Sequence, residues 1–109
     1  MIYQKIGFIG TGHMGQAMIQ ALAESGKVPV SKLYASNRSP GKLKRVQEQF
    51  GINVVANNEE LIDICDIVII AVKPQDLTAV IEPVASSFLP GQIVISLCPS
   101  PRVFSLGKS

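Results

Sequence analysis

Tryptophan is missing from this chain, and aromatic residues make up only 6% of its 109 positions. Stacking platforms interleaved with arginine stripes, the usual surface for single-stranded nucleic acid, are therefore not in the sequence. The net charge of +2 is too small to argue for nucleic acid or an anionic membrane. Cysteine is also scarce. Cys65 and Cys98 each lack a second Cys or His two to four residues away, so their spacing offers no zinc site. A disulfide between them is not expected in a chain that reads as cytosolic. Asp63, Asp66 and Asp76 show neither paired-carboxylate nor metal spacing. The longest apolar run, residues 67–72, is strand-length and too short to cross a bilayer. Met1-Ile2-Tyr3-Gln4-Lys5 lacks the basic start and long apolar stretch of a signal peptide, so the expected location is cytoplasmic.

What is present is ordinary for a globular domain: 47% hydrophobic residues, 17% charged, and enough length for one core. Strand and helix patterns alternate. Residues 6–9 read as a first strand. A helix follows over residues 14–25, with Met14, Met18, Ala21 and Leu22 at helical spacing and Gly26 closing it. Residues 32–36 are a second strand. Ser39 and Pro40, as N-cap and first position, open a helix that carries Leu43, Val46 and Phe50 and ends at Gly51. Residues 53–55 form a short third strand, and Asn57 or Asn58 caps a brief helix through Ile64. Residues 66–72 are a fourth strand, apolar on both faces as a covered strand should be. Pro74 starts a helix through about Ser87, and residues 93–97 are a fifth strand. This βαβαβαβαβ order predicts an α/β fold, a Rossmann-type doubly wound parallel sheet with strand order 3-2-1-4-5. A ligand crevice then belongs at the carboxyl ends of strands one and four.

The chemistry centres on Gly10-Thr11-Gly12-His13-Met14-Gly15, which fits the dinucleotide fingerprint G-x-G-x-x-G between a strand and a helix. Gly10 permits the tight turn, Gly12 lets a pyrophosphate touch the backbone, and Gly15 brings the helix close to the strand. After strand two, a free ribose 2′-hydroxyl usually meets Asp or Glu, but this chain has Ser36-Asn37-Arg38-Ser39. Arg38 can pair with a 2′-phosphate, and Ser36, Asn37 and Ser39 add neutral donors. NADP(H) is therefore preferred, with NAD(H) as the alternative. Lys42, one turn into the next helix, is in reach of the phosphate, but a lysine there is more often a surface residue and is left out of the site. Ala71, Val72, Lys73 and Pro74 end strand four where they would border the nicotinamide ribose, with Val72 packed on the ring. Nothing indicates that Lys73 is buried enough to act as an acid. His13 reads as a loop histidine near the phosphates, and Cys98 as a small hydrophobe. Asn58 suits either a helix cap or the adenine ribose. Asp66 belongs at the opposite end of the sheet. No residue is assigned a catalytic role.

These segments together resemble pyrroline-5-carboxylate reductase. The resemblance rests on residues 6–15, on Ala35-Ser36-Asn37-Arg38-Ser39 and on Ala71-Val72-Lys73-Pro74-Gln75, and it covers about residues 3–97. It implies hydride transfer from NAD(P)H to a cyclic imine in proline formation. It implies that residues 10–15 hold the pyrophosphate and that Asn37 and Arg38 meet the 2′-phosphate side. Asn58 would contact the adenosine part, and residues 71–74 would line the nicotinamide half. The glycine loop alone also fits β-hydroxyacid or 6-phosphogluconate dehydrogenase-like domains. The family continues after strand five with a small-residue segment and a helical dimerisation and substrate domain. Here residues 1–97 read as the cofactor domain and residues 98–109 as a divergent tail, as in a truncated or frame-shifted product. The expectation is a nucleotide-binding module inactive alone, with the imine substrate belonging to the full-length family. An uncovered apolar surface would favour self-association.

Overall fold

The computed structural model describes residues 4–97 and the main chain of 102–104. Cys98 and most of the tail lie outside the described residues. The elements are β1 (Ile6–Ile9), α1 (His13–Ser25), β2 (Leu33–Ser36), α2 (Pro40–Phe50), β3 (Asn53–Val54), α3 (Asn58–Ile64), β4 (Ile67–Ile70), α4 (Leu77–Ile81), β5 (Ile93–Ser96) and β6 (Arg102–Phe104). They form one sheet in the order β3-β2-β1-β4-β5-β6. The first five strands are parallel and run in the expected order 3-2-1-4-5. β6 is an addition that strand-and-helix patterning did not reveal, and it pairs antiparallel on the β5 edge.

Register sets the site. Ile9 of β1 lies opposite Ser36 of β2 on one side and Ile70 of β4 on the other, and Ile70 opposes Ser96 of β5. Four strands therefore stop level, and their connections open on the same edge. Both faces of the sheet are covered, which is why β4 is apolar at every position. On one face Phe8, Ile69 and Ala71 pack with Ile19 of α1 and Val46 of α2. On the other, Ile9, Val68, Ile70 and Val94 pack with Leu61 and Ile62 of α3 and with Val84 and Phe88.

Three sequence expectations are corrected. Met14 does not belong to the core stripe of α1, because it is 54% exposed. The buried positions are Gly15 and Ile19, with Met18, Leu22 and Ala23 beside them. Ala21 is exposed as well, whereas Met18 and Leu22 keep their expected places on the side where Gly15 approaches the sheet. The expected helix from Pro74 to about Ser87 is instead three pieces: a 3₁₀ turn at Pro74–Asp76, α4, and a 3₁₀ stretch at Glu82–Ser87. Pro83 explains the second break, since it has no N–H to continue the α-ladder and its ring crowds the preceding turn. Finally, Ser39 sits at the N-cap of α2 but its side chain makes no capping bond. Asn37 Oδ1 accepts from the Ser39 N–H instead, at 3.0 Å.

Asn57 Oδ1 caps α3 by accepting from the Glu60 N–H at 2.8 Å, which frees Asn58 for another partner. At the far end of α3, Gln92 Nε2 donates to the carbonyls of Ile62 and Cys65 at 2.6 and 2.8 Å. That clamp joins the entry of β5 to helix carbonyls that would otherwise lack donors. Burial pushes the Cys65 thiol up to about 12; the Asp66 carboxylate adds to this and Lys5 opposes it. Cys65 is thus a neutral packing group rather than a nucleophile. Asp66 lies, as expected, at the end of the sheet remote from the glycine turn, where its carboxylate accepts from the Lys5 N–H at 2.9 Å.

Candidate functional site

The chain leaves β1 through Gly10, whose φ of +90° lies in the region that favours glycine. Its N–H donates to the Ser36 carbonyl at 2.9 Å, while the Ala71 N–H donates to the Ile9 carbonyl at 2.8 Å. The turn is thus tied to β2 on one side and to the end of β4 on the other. A Cβ on Gly10 would lie 2.8 Å from both the Ala71 carbonyl oxygen and Val72 Cγ1. One on Gly15 would lie 3.0 Å from Ala71 Cβ and 3.1 Å from the Gly10 oxygen. Gly12 differs, because its nearest neighbour would be the Ala71 oxygen at 3.8 Å. A Cβ at Gly12 would thus meet no clash within the protein, because the space beside it is open.

That space is a cavity of about 680 Å³. Thr11, Gly12, His13, Met14 and Gln16 form one wall, and Ala71, Val72, Lys73, Pro74 and Leu97 another. α1 starts there with no side-chain cap and no acidic residue in its first turn. Its first N–H groups and the positive end of its dipole are therefore available to an anion. Thr11 braces the turn although it is only 1% exposed. Its hydroxyl accepts from Asn37 Nδ2, and its carbonyl accepts from Gln16 Nε2 at 2.7 Å.

The structure separates the remaining sequence candidates. Asn37 works inside the protein, linking the glycine turn to the start of α2 through Thr11 and Ser39. Ser36 is fully buried, and its hydroxyl donates to Asn58 Oδ1 at 2.6 Å, so it is not an open donor for a phosphate. Asn58 is half-buried beneath it. Arg38 is exposed in the β2–α2 connection and is not part of the cavity wall. Val72 is shared, lining the cavity while packing against the α3–α4 core. Lys73 and Pro74 are exposed at the rim.

A third wall lies on α2, where the sequence points to Lys42 alone. Lys42, Arg45, Val46 and Gln49 of α2 also line the cavity. The sequence offers the helical spacing of these residues as a clue, but not which way α2 turns. Among the described residues, no His/Cys/Asp/Glu cluster could hold a metal ion, and no helix is long and apolar enough to cross a membrane.

Residues 5–100 match the family described as NADP oxidoreductase, coenzyme F420-dependent. The chain is 34% identical over 106 residues to pyrroline-5-carboxylate reductase of Escherichia coli, covering 97% of this chain and 39% of that protein. It is 38% identical over 94 residues to the enzyme of that name from Methanosarcina acetivorans, covering 86% of this chain and 35% of the relative. The Escherichia coli match continues past Leu97, into the stretch that reads as a divergent tail. Among solved structures, the Plasmodium falciparum pyrroline carboxylate reductase with NADP bound superposes with a TM-score of 0.75 at 29% identity, covering 88% of this chain and 34% of that one. The chain therefore spans between a third and two fifths of the length of these relatives.

Proposed function

This chain belongs to the NADP oxidoreductase, coenzyme F420-dependent, family, and from that premise we propose that it is the cofactor-binding part of a pyrroline-5-carboxylate reductase that uses NADP(H), with NAD(H) as a weaker ligand. One observation carries the reading: the uncapped start of α1 and the segment 71–74 face each other across one cavity at the carboxyl ends of β1 and β4. Gly12 supports the reading: a Cβ there would meet only the Ala71 oxygen, at 3.8 Å, so the backbone is open on the cavity side.

In this reading the N–H groups at the start of α1 hold the pyrophosphate, and Gly12 lets it approach the main chain. Thr11, His13, Met14 and Gly15 belong to the same turn. Thr11, fixed by Asn37 and Gln16, keeps the turn in shape before any ligand arrives, which limits the ordering entropy of binding. Arg38 meets a 2′-phosphate from the open side of the β2–α2 connection, and the Ser36–Asn58 hydrogen bond braces the end of β2 from which that connection leaves. Ala71, Val72, Lys73 and Pro74 border the nicotinamide half, where Val72 and Leu97 present apolar surface and exclude water. The bound dinucleotide supplies the hydride for an imine carbon, and the protein's part is to orient and desolvate the two reactants.

Residues 1–109 alone are expected to bind NADPH and to turn over weakly or not at all. The substrate class is tested by joining residues 1–97 to the remainder of the Escherichia coli relative and following NADPH loss on addition of pyrroline-5-carboxylate. The reading predicts imine-dependent oxidation. A folded, NADPH-binding chimera that leaves the imine untouched would contradict it.

A further inference from the structure

The single histidine of the chain stands in the wall of the cavity. His13 is the first residue of α1, directly after the extended Gly12 at the N-cap. The fold does not need its ring. The residue is exposed, and the turn is braced through other groups: Thr11 accepts from Asn37 and from Gln16. At this position the ring shares the cavity with the first N–H groups of α1, which have no side-chain cap. An anion drawn to those N–H groups therefore comes within reach of the imidazole.

The charged groups around the ring are of one sign. α1 has no acidic residue in its first turn. α2 brings Lys42 and Arg45 to the cavity, the segment after β4 brings Lys73, and β5 is followed there by the apolar Leu97. No Asp or Glu lines the cavity, and the ion pair among the described residues, Lys44 with Glu48, involves none of these groups. The protein thus offers the imidazole no counter-charge, and a diphosphate over the turn would be the first. Histidine is the side chain whose charge changes in the neutral range. The imidazolium makes a charge-assisted hydrogen bond to such an anion, and the neutral ring makes a weaker one at most. Binding then takes up a proton, so the extra affinity is present at the acid side and lost as pH rises.

We infer that His13 couples nucleotide binding to a proton: the diphosphate is held more tightly when the imidazole is charged, and the hold weakens as pH rises through the neutral range. This rests on the proposed cofactor role. The test is calorimetric titration of the full chain and of His13→Gln with NADH and with NADPH at about pH 6 and about pH 8, in two buffers of different ionisation enthalpy. Glutamine keeps a donor at this position without the titration. NADH has no phosphate monoester, so its charge is constant over this range, whereas the 2′-phosphate of NADPH itself titrates near about pH 6. For either nucleotide, the ratio of affinities between the two proteins cancels the ligand's own contribution. The unaltered chain should bind NADH about threefold to tenfold more tightly at the lower pH, with proton uptake, and His13→Gln should show neither. His13→Lys, charged at both pH values, should hold NADH at the higher pH about as tightly as the unaltered chain does at the lower. The free variants should melt like the unaltered chain, because the residue is exposed, and this separates a lost contact from a lost fold. If His13→Gln keeps the pH dependence and the proton uptake, the inference is overturned and the cofactor role stands. NADH binding that is indifferent to pH in the unaltered chain overturns it equally. If the unaltered chain binds neither nucleotide, the cofactor role falls, and this inference with it.

Discussion

Gly12→Ala should leave the fold intact and remove most of the nucleotide affinity. The added Cβ would stand 3.8 Å from its nearest neighbour, and the residue's φ of −72° suits any L-amino acid. Alanine is a poorer N-cap than glycine, but it also narrows the unfolded ensemble, so net stability should stay within about 1 kcal/mol. Binding is another matter. Gly12 borders the cavity at the start of α1, where a pyrophosphate has to touch the main chain to reach the N–H groups. A methyl group there holds the phosphates away, and the expected loss is roughly tenfold to a hundredfold in affinity, or about 1.4–2.8 kcal/mol. Thermal melting with and without NADPH checks both halves. The free variant should melt like the unaltered chain, and the ligand-induced rise should shrink. Unchanged affinity would mean that the ligand does not lie on the glycine turn.

Gly7→Ala should do the reverse and strike the fold first. Gly7 sits in the middle of β1, where α3 packs directly on the strand. A Cβ there would lie 2.6 Å from Leu61 Cδ2, 2.8 Å from Leu61 Cγ and 2.7 Å from Cys65 Sγ. Leu61 is fully buried and Cys65 nearly so, which leaves neither side chain room to turn aside. α3 would have to lift from the sheet, at a cost of about 2–3 kcal/mol. For a domain of this size that corresponds to a fall in melting temperature of roughly 10 °C or more. Denaturant unfolding of the variant measures it directly. A stability loss under about 0.5 kcal/mol would show that α3 yields more easily than this packing implies.

These two glycines mark the limits of what the sequence makes legible. Gly10, Gly12 and Gly15 announce themselves, because their spacing between a strand and a helix has a single physical use. Gly7 carries no such signal. Within a strand pattern it is one small residue among apolar ones, and the need for it appears only once Leu61 and Cys65 are placed against it. The strand order follows from alternation and crossover handedness, and it holds for all five parallel strands. Pro83 was a visible warning that the last helix would break, since proline in a helix interior removes a ladder bond. Lys42 and Arg45 could not be separated from Lys44 by type or spacing alone. All three look like solvated cations until the side-chain contacts show that two face the cavity while the third pairs with Glu48. Asn37 was legible as a member of the site but not in its role, because hydrogen bonds to Thr11 and Ser39 depend on the turn having folded first.

The central claim is that the cavity over the glycine turn holds NADP(H). Titration of residues 1–109 with NADPH and, in parallel, NADH tests it most directly. The account predicts saturable binding of both with NADPH tighter. Absence of binding by either nucleotide, or equal affinity for the two, would contradict it: the first by emptying the cavity of its role, the second by removing the 2′-phosphate from the cationic side of the site.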